Sequence, residues 1–435
     1  MKNFLLTIVL VISQLMNIQA QQKFENLESL LAYVNTKNIS LKSNKIRLLQ
    51  AQKTLWASKL AIADPMANVS ASFTDNTRLP VNILPSEILG GKQGEFREVQ
   101  FGVQYNTNST QNIDIKLLNL EGWKNFKLAE INIQISENDN KLNQKNLHDN
   151  IALAYYNIVQ LNAQSESINQ NLAIADSLLA LAQRKYRQGI VKQQDVNDSK
   201  VNSLTIKENT RQIEFLVKQN YVTLKILSDI PETEFVEISE KINLISDVQK
   251  PNIELNNLLV ESNRLKESFI FTTIQKTKKA FAPTVSLVFN NAFNLYNNDF
   301  SILGGKWITS NYVGLRFNLP LPNANTLSNK YKAEFDYQLA QQNTQQAQIK
   351  ADLITKQLET DWEKGISQIK NYTEILEIQK DTYAKNRNLY SEGLISIDRV
   401  LNSFNALTNT IYSLNSSNVN ILLAQAKIDI NNKMK

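Results

Sequence analysis

The only imidazole in these 435 residues is His148, and there is no cysteine. The side chains that carry most nucleophilic, redox and metal chemistry are therefore nearly missing. Without thiols there is no disulfide framework, no thiolate metal site and no thiol nucleophile. A histidine-based triad or metal site would have to be built on His148 alone. That residue lies in "KNLHDNIAL", on the polar face of a helical pattern, and reads as exposed and non-catalytic. No loop gathers the polar cluster that a hydrolase needs. The expectation is a protein that is not an enzyme and has no catalytic, cofactor-binding or metal site.

The formal charge is +6, from 47 Lys and Arg against 41 Asp and Glu. These charges alternate along helical stretches without forming a run or stripe, which argues against nucleic acid as a partner. Residues 1–20, "MKNFLLTIVLVISQLMNIQA", have the layout of a secretory signal peptide: one Lys, an apolar run from Phe4 to Ile12 and a small residue, Ala20. The run is too short to span a bilayer, and no later stretch approaches eighteen apolar residues. No lipid-bearing Cys comes after it.

One pattern recurs where chemistry does not. "YRQGIVKQQDV" (186–196) returns as "YSEGLISIDRV" (390–400), each copy interrupting a long helical pattern in a chain with only eleven Gly and eight Pro. Before the first copy, Leu161, Ile168, Leu172, Ala175, Leu179, Ala182 and Tyr186 recur in steps of seven, four and three, the spacing of a coiled-coil seam within a helix from about Leu120 to Gln188. A second helix, from about Thr326 to Tyr390, carries Trp362, Ile366, Ile369, Leu376 and Tyr383. After Gly393 a further helix carries Val400, Phe404, Leu407, Ile411 and Leu414. Gly189 and Gly393 fit reversal points, because glycine enters left-handed backbone without steric cost.

Between the helices lie segments of period two. "VQFGVQYN" (99–106) alternates strictly, with "VSASFTDN" (69–76) as a weaker partner. In the second half "VSLVFNNAFNLY" (285–296) and "YVGLRFNLPLP" (312–322) form the corresponding pair. Each pair brackets a polar or Pro/Gly-bearing loop. The reading divides the chain into a signal peptide (1–20), a first repeat (21–230, strand pair 67–108), a linker (231–251) and a second repeat (252–435, strand pair 284–322). Strands apolar on one side and rich in Gln, Asn and Ser on the other suit a membrane β-barrel wall, although a soluble sandwich alternates too. Four strands cannot close a barrel, so a barrel would need several copies of the chain.

The duplicated order of long helix, strand pair and helical hairpin, through "FAPTVSLVFNNAF", "YVGLRFNLPLPNANTLSNKYKAE" and the two Tyr-Gly stretches, resembles the TolC-type outer-membrane efflux proteins over essentially the whole mature chain. The resemblance implies a mainly α fold with membrane β: a homotrimer with a β-barrel of four strands per chain in outer-membrane lipid, continued by a periplasmic α-helical barrel. It implies a passive exit duct for efflux or type I secretion, served by a periplasmic adaptor and an inner-membrane pump. The linker 231–251 would lie beside the middle of the helical barrel, and Trp307 and Tyr296 would be interfacial aromatics. The two turns would form the periplasmic gate, with Tyr186, Gly189, Asp195 and Asp198 in one hairpin and Tyr390, Gly393, Asp398, Arg399 and Asn402 in the other. Tyr390 matches the family position whose ring helps hold the inner helices together. The family's two gating acids one turn apart are replaced here by Arg399 and Asn402. The competing expectation is a periplasmic coiled-coil scaffold or adaptor without a pore.

Overall fold

The computed structural model describes residues 21–242 and 250–434, so the signal-peptide assignment and positions 243–249 of the expected linker lie outside the described residues. In chain order the elements are β1 (Gln21–Phe24), α1 (Leu27–Lys37), α2 (Ile39–Leu60), β2 (Met66–Asp75), β3 (Val81–Pro85), β4 (Phe96–Gln100), β5 (Tyr105–Leu118) and α3 (Leu120–Arg187). Next come α4 (Gln193–Ser228), β6 (Phe235–Ile238), α5 (Leu258–Lys279), β7 (Thr284–Asn297), β8 (Trp307–Asn318), α6 (Ala324–Ser391) and α7 (Ile397–Lys433). Among the described residues no helix is long and apolar enough to cross a membrane. The chain forms two compact units, one of residues up to 47, 137–262 and from 345 on, the other of 48–136 and 263–344.

The first unit is helical. Its seams run every seven residues, and in α6 Trp362, Ile369, Tyr383 and Tyr390 are all buried in that register. They pack on Val400, Phe404, Leu407, Leu414 and Ile421 of α7 in two apolar clusters. Gly365 sits where a Cβ would come within 3.1 Å of Ile421, so α6 and α7 approach closely there. In α3 the buried seam is Ile168, Asn171, Ala175, Leu178, Ala182 and Lys185. It departs from the expected Leu172, Leu179 and Tyr186 by one position each. At two of these steps the true seam residue is polar, Asn171 and Lys185, and at the third Leu178 and Leu179 are equally apolar, so apolar spacing alone gave the wrong register. A third cluster joins α1, α3, α4, α7 and the short parallel pair β1–β6 through Leu30, Val34, Ile151, Tyr155, Leu224, Val236 and Val419.

His148 belongs beside this cluster and corrects the expectation of an exposed residue: it is only 4% exposed. Its Nε2 lies 2.9 Å from Asn35 Oδ1. Polar neighbours in sequence made its helix face read as solvated, whereas α1 covers it in space.

The second unit holds a four-stranded antiparallel sheet of order β2-β5-β7-β8. It contains the first clear departure from the strand assignments. The strictly alternating 99–106 is not one strand, because Gly102 adopts φ +127 and breaks the extended run. Its first part, β4, pairs with β3 in a small separate hairpin, and β2 instead pairs with β5, from Met66↔Asp114 to Asp75↔Tyr105. "YNTNSTQNIDIKLL" escaped notice because hydroxyls and amides occupy both of its faces. In the second half β7 falls where expected, but β8 begins at Trp307 rather than at 312 and ends at Asn318, before Pro320 and Pro322. Proline cannot donate to a ladder.

Burial holds the His148 imidazole neutral, lowering its pKa from 6.5 to about 4. Below about pH 6.5 the unfolded chain binds the extra proton and the folded chain does not, so stability falls as pH drops from about 6.5 toward 4. A His148→Gln variant is expected to flatten the thermal-midpoint profile over that window, measured by circular dichroism, with little change above pH 7.

Candidate functional site

The two Tyr-Gly stretches fold into matched reversals. After α3, Gly189 N–H donates to Tyr186 C=O at 2.9 Å and Ile190 N–H to Lys185 C=O at 2.9 Å. After α6, Gly393 N–H donates to Tyr390 C=O at 3.0 Å and Leu394 N–H to Leu389 C=O at 2.9 Å. Each pair is the Schellman arrangement that closes a helix C-terminus. The glycines have φ of +71 and +82, and an added Cβ at either would meet nothing within 4 Å. Backbone conformation, not crowding, therefore requires glycine at both turns.

The hairpins differ where the returning helices begin. In the first, Lys192 N–H donates to the Asp195 carboxylate at 2.8 Å, an acid placed in the first turn of α4 where it satisfies a free donor and the helix dipole. In the second, Arg399 holds the matching place, and the N-cap Ser396 makes no side-chain capping bond. Asp198 accepts from Gln194 Nε2 at 2.8 Å. Asp398, Arg399 and Asn402 are exposed on α7.

The tyrosines diverge as well. Tyr186 is 45% exposed, whereas Tyr390 is 1% exposed and sits in the apolar cluster with Ile397, Val400 and Phe404. Over its ring, 5.1 Å from the centroid, lies Lys185 Nζ, which also donates to Ser391 C=O at 3.1 Å. Lys185 thus ties the end of α3 to the end of α6, a role that its place on a buried helix face hid from sequence reading. Burial and the nearby Asp195 charge push the Tyr390 phenol up to about 12. Its hydroxyl has no hydrogen-bond partner among the described residues. Within one chain, then, the Asp195 charge is felt at Tyr390, while among the described residues no side-chain hydrogen bond joins the expected gate residues of one hairpin to those of the other.

In the strand unit, cross-strand register sorts the side chains. One face carries Val69, Phe73, Ile113, Ile115, Leu287, Phe289, Val313, Leu315 and Phe317. This face is crossed by an amide row, Gln111, Asn291 and Asn311, in which Asn291 donates to Gln111 at 3.3 Å, and toward one end it also carries Thr107, Ser109, Thr309 and Asn297. The other face carries Asn68, Ser70, Ser72, Asn108, Asn112, Asn290, Asn294 and Ser310. Val69, Val313, Leu315 and Phe317 are all more than 65% exposed on this chain. At one end of the sheet an aromatic group forms, with Phe300 edge-on to Phe73 and Tyr105 at 5.8 and 5.5 Å. Trp307 and Tyr296 stand at the same end.

A sheet with two open edges, one apolar face and one polar face, together with duplicated helical hairpins, defines a known architecture. The fold is that of the outer-membrane efflux channels. The family model described as Outer membrane efflux protein matches residues 252–429, so the expected resemblance to the TolC-type family is borne out. No curated protein matches the sequence. Among solved structures, the Campylobacter jejuni CmeC outer membrane channel aligns with TM-score 0.75 at 16% identity, over 94% of this chain and 85% of that one. The outer membrane protein VceC from Vibrio cholerae gives 0.69 at 15%, over 93% and 95%. The open state of the Neisseria gonorrhoeae MtrE outer membrane channel gives 0.70 at 12%, over 93% and 88%.

Tyr390→Phe is expected to change stability by less than about 1 kcal/mol, because the deleted hydroxyl is unpartnered, while Tyr390→Ala loses about 3–5 kcal/mol with the ring. Gly393→Ala should cost about 1–2 kcal/mol through its left-handed backbone, and Gly393→Asn clearly less. Denaturant unfolding of the purified protein measures all three.

Proposed function

We propose that the chain is the exit duct of an efflux or secretion assembly in the outer membrane, a passive conduit and not an enzyme. The observation that carries this reading is the sheet. Its outer strands β2 and β8 each keep an unpaired edge, and an open sheet cannot lie in lipid because every backbone polar group must be paired there. All neighbouring strands are antiparallel, so β2 and β8 run in opposite directions. The β8 edge of one copy therefore meets the β2 edge of the next in the antiparallel sense, and three copies of a four-stranded sheet supply twelve strands. Strands of 14 residues, at about 3.3 Å per residue and tilted about 40°, rise roughly 35 Å, enough for an apolar band of about 25 Å. The apolar face is then turned to lipid and the amide face to water. Trp307 and the Phe300 group would sit at the membrane boundary on the lipid side, with Tyr296 at the same level on the water side.

In the same reading the helical unit is periplasmic. Its two turns form the mouth where an adaptor linked to an inner-membrane pump engages. Tyr186, Gly189, Asp195, Asp198, Gly393, Asp398, Arg399 and Asn402 border that mouth, and the buried Tyr390 packs beneath them. The exposed Asp398, Arg399 and Asn402 are free to meet their counterparts on neighbouring copies.

Because the chain has no cysteine, any disulfide must come from introduced residues. Double variants with one cysteine in β2 and one in β8, starting from Ser70→Cys with Ser310→Cys and shifting register in steps of two, are expected to give a ladder ending at three chains after oxidation of outer-membrane fractions. Recovery only as a soluble periplasmic monomer would overturn the channel. For the mouth, single-channel recording of the Arg399→Ala/Asp195→Ala double variant should show shorter closed lifetimes, and unchanged conductance and gating would remove those residues from the gate.

A further inference from the structure

The amide face of the sheet has a specific electrostatic property. Asn290 donates to Asn112 at 2.5 Å and Asn108 to Asn294 at 2.6 Å, each between directly opposed residues of β5 and β7. Thr110 donates to Asn108 at 2.8 Å. Among the residues that share this face, the charged ones are Asp114, Lys116 and Arg316, and each is paired. Arg316 Nη1 lies 2.8 Å from Asp114 Oδ2, and Lys116 Nζ lies 2.5 Å from Asp64 Oδ2. In the register Asp114 and Gly314 stand on either side of Val288, and Arg316 lies one row along beside Ser286, so the arginine reaches Asp114 diagonally across β7. Charged rings are what give a pore its preference for one ion sign. Here each charge is cancelled within a hydrogen-bond length, and the polar groups that remain, amides that both donate and accept with the hydroxyls of Ser70, Ser72, Thr110 and Ser310, stand among the uncharged Met66, Ala292, Ile308 and Tyr312.

We infer that this face is a charge-neutral amide lining. Asn108, Asn112, Asn290 and Asn294 are its solute-contacting residues, and the Asp114–Arg316 pair keeps it neutral. It discriminates by hydrogen bonding and not by charge, so it takes hydroxyl- and amide-bearing solutes regardless of net charge. The inference rests on the reading that this face borders the aqueous path. Each copy repeats it, so a substitution in a trimer acts as a ring of three.

Reversal potentials of the purified channel in planar bilayers under a potassium chloride gradient test it. Arg316→Gln, which uncovers Asp114, should raise the cation-over-anion permeability ratio by roughly twofold or more, and Asp114→Asn should lower it by a similar factor. The double variant Asp114→Asn/Arg316→Gln should return to the wild-type ratio. Asn290→Asp, which leaves the pair intact, should shift the ratio in the same direction as Arg316→Gln. A ratio that does not move in the single variants, or a double variant that stays shifted, would overturn the inference. The face assignment is checked separately with Asn290→Cys and Val313→Cys and a charged, water-soluble thiosulfonate. Modification of the first alone supports the lining, whereas modification of the second alone would overturn both the assignment and the inference built on it.

Discussion

The strand unit depends on the ladder between β5 and β7. Each half of the chain supplies only two of the four strands, and an isolated pair of strands is marginal in water. Pairing from Tyr105↔Asn297 to Leu118↔Val285 joins the two repeats into one sheet. It also sets which residues stand opposite one another. A shift of one position would send Asn112 and Asn290 to opposite faces and scatter the apolar side chains across both. The amide pairs Asn112–Asn290 and Asn108–Asn294 reinforce the register that they require.

In the helical unit the corresponding constraint is the seven-residue seam. Tyr390 ends the α6 series begun by Trp362, and Lys185 ends the α3 series begun by Ile168. The two seams finish against each other, which is why a buried lysine and a buried tyrosine meet there. The lysine head finds the ring face and the Ser391 carbonyl, which stabilise its charge. An unpartnered phenol beside them is a local cost that the surrounding apolar packing offsets.

Duplication accounts for the frame and not for the details. Both turns use the same left-handed glycine and the same pair of capping hydrogen bonds. The residues beyond each glycine have diverged. Asp195 caps its own helix, while the matching Arg399 stays exposed. A helix start tolerates either residue, so the exposed positions of the second hairpin are free to serve contacts outside the chain. The strands β2 and β8 likewise keep an unpaired edge within the chain, which in the proposed channel meets a neighbouring copy.

The sequence by itself determined the long helices, the two reversals and the presence of strand pairs in each half, because heptad spacing, isolated glycines and period two are local signals. The helix expected from Leu120 to Gln188 spans Leu120–Arg187, and the one from Thr326 to Tyr390 spans Ala324–Ser391. Only the tertiary structure decided which strand pairs with which. "VQFGVQYN" alternates better than β5, but Gly102 bends it away, and the polar "YNTNSTQ" becomes a central strand because its neighbours satisfy its ladder. Tertiary packing likewise buried His148, which read as exposed in the sequence, and Lys185, which the sequence did not single out. Covering by another helix, and the ring of Tyr390 arriving from 205 residues away, are not written in local spacing.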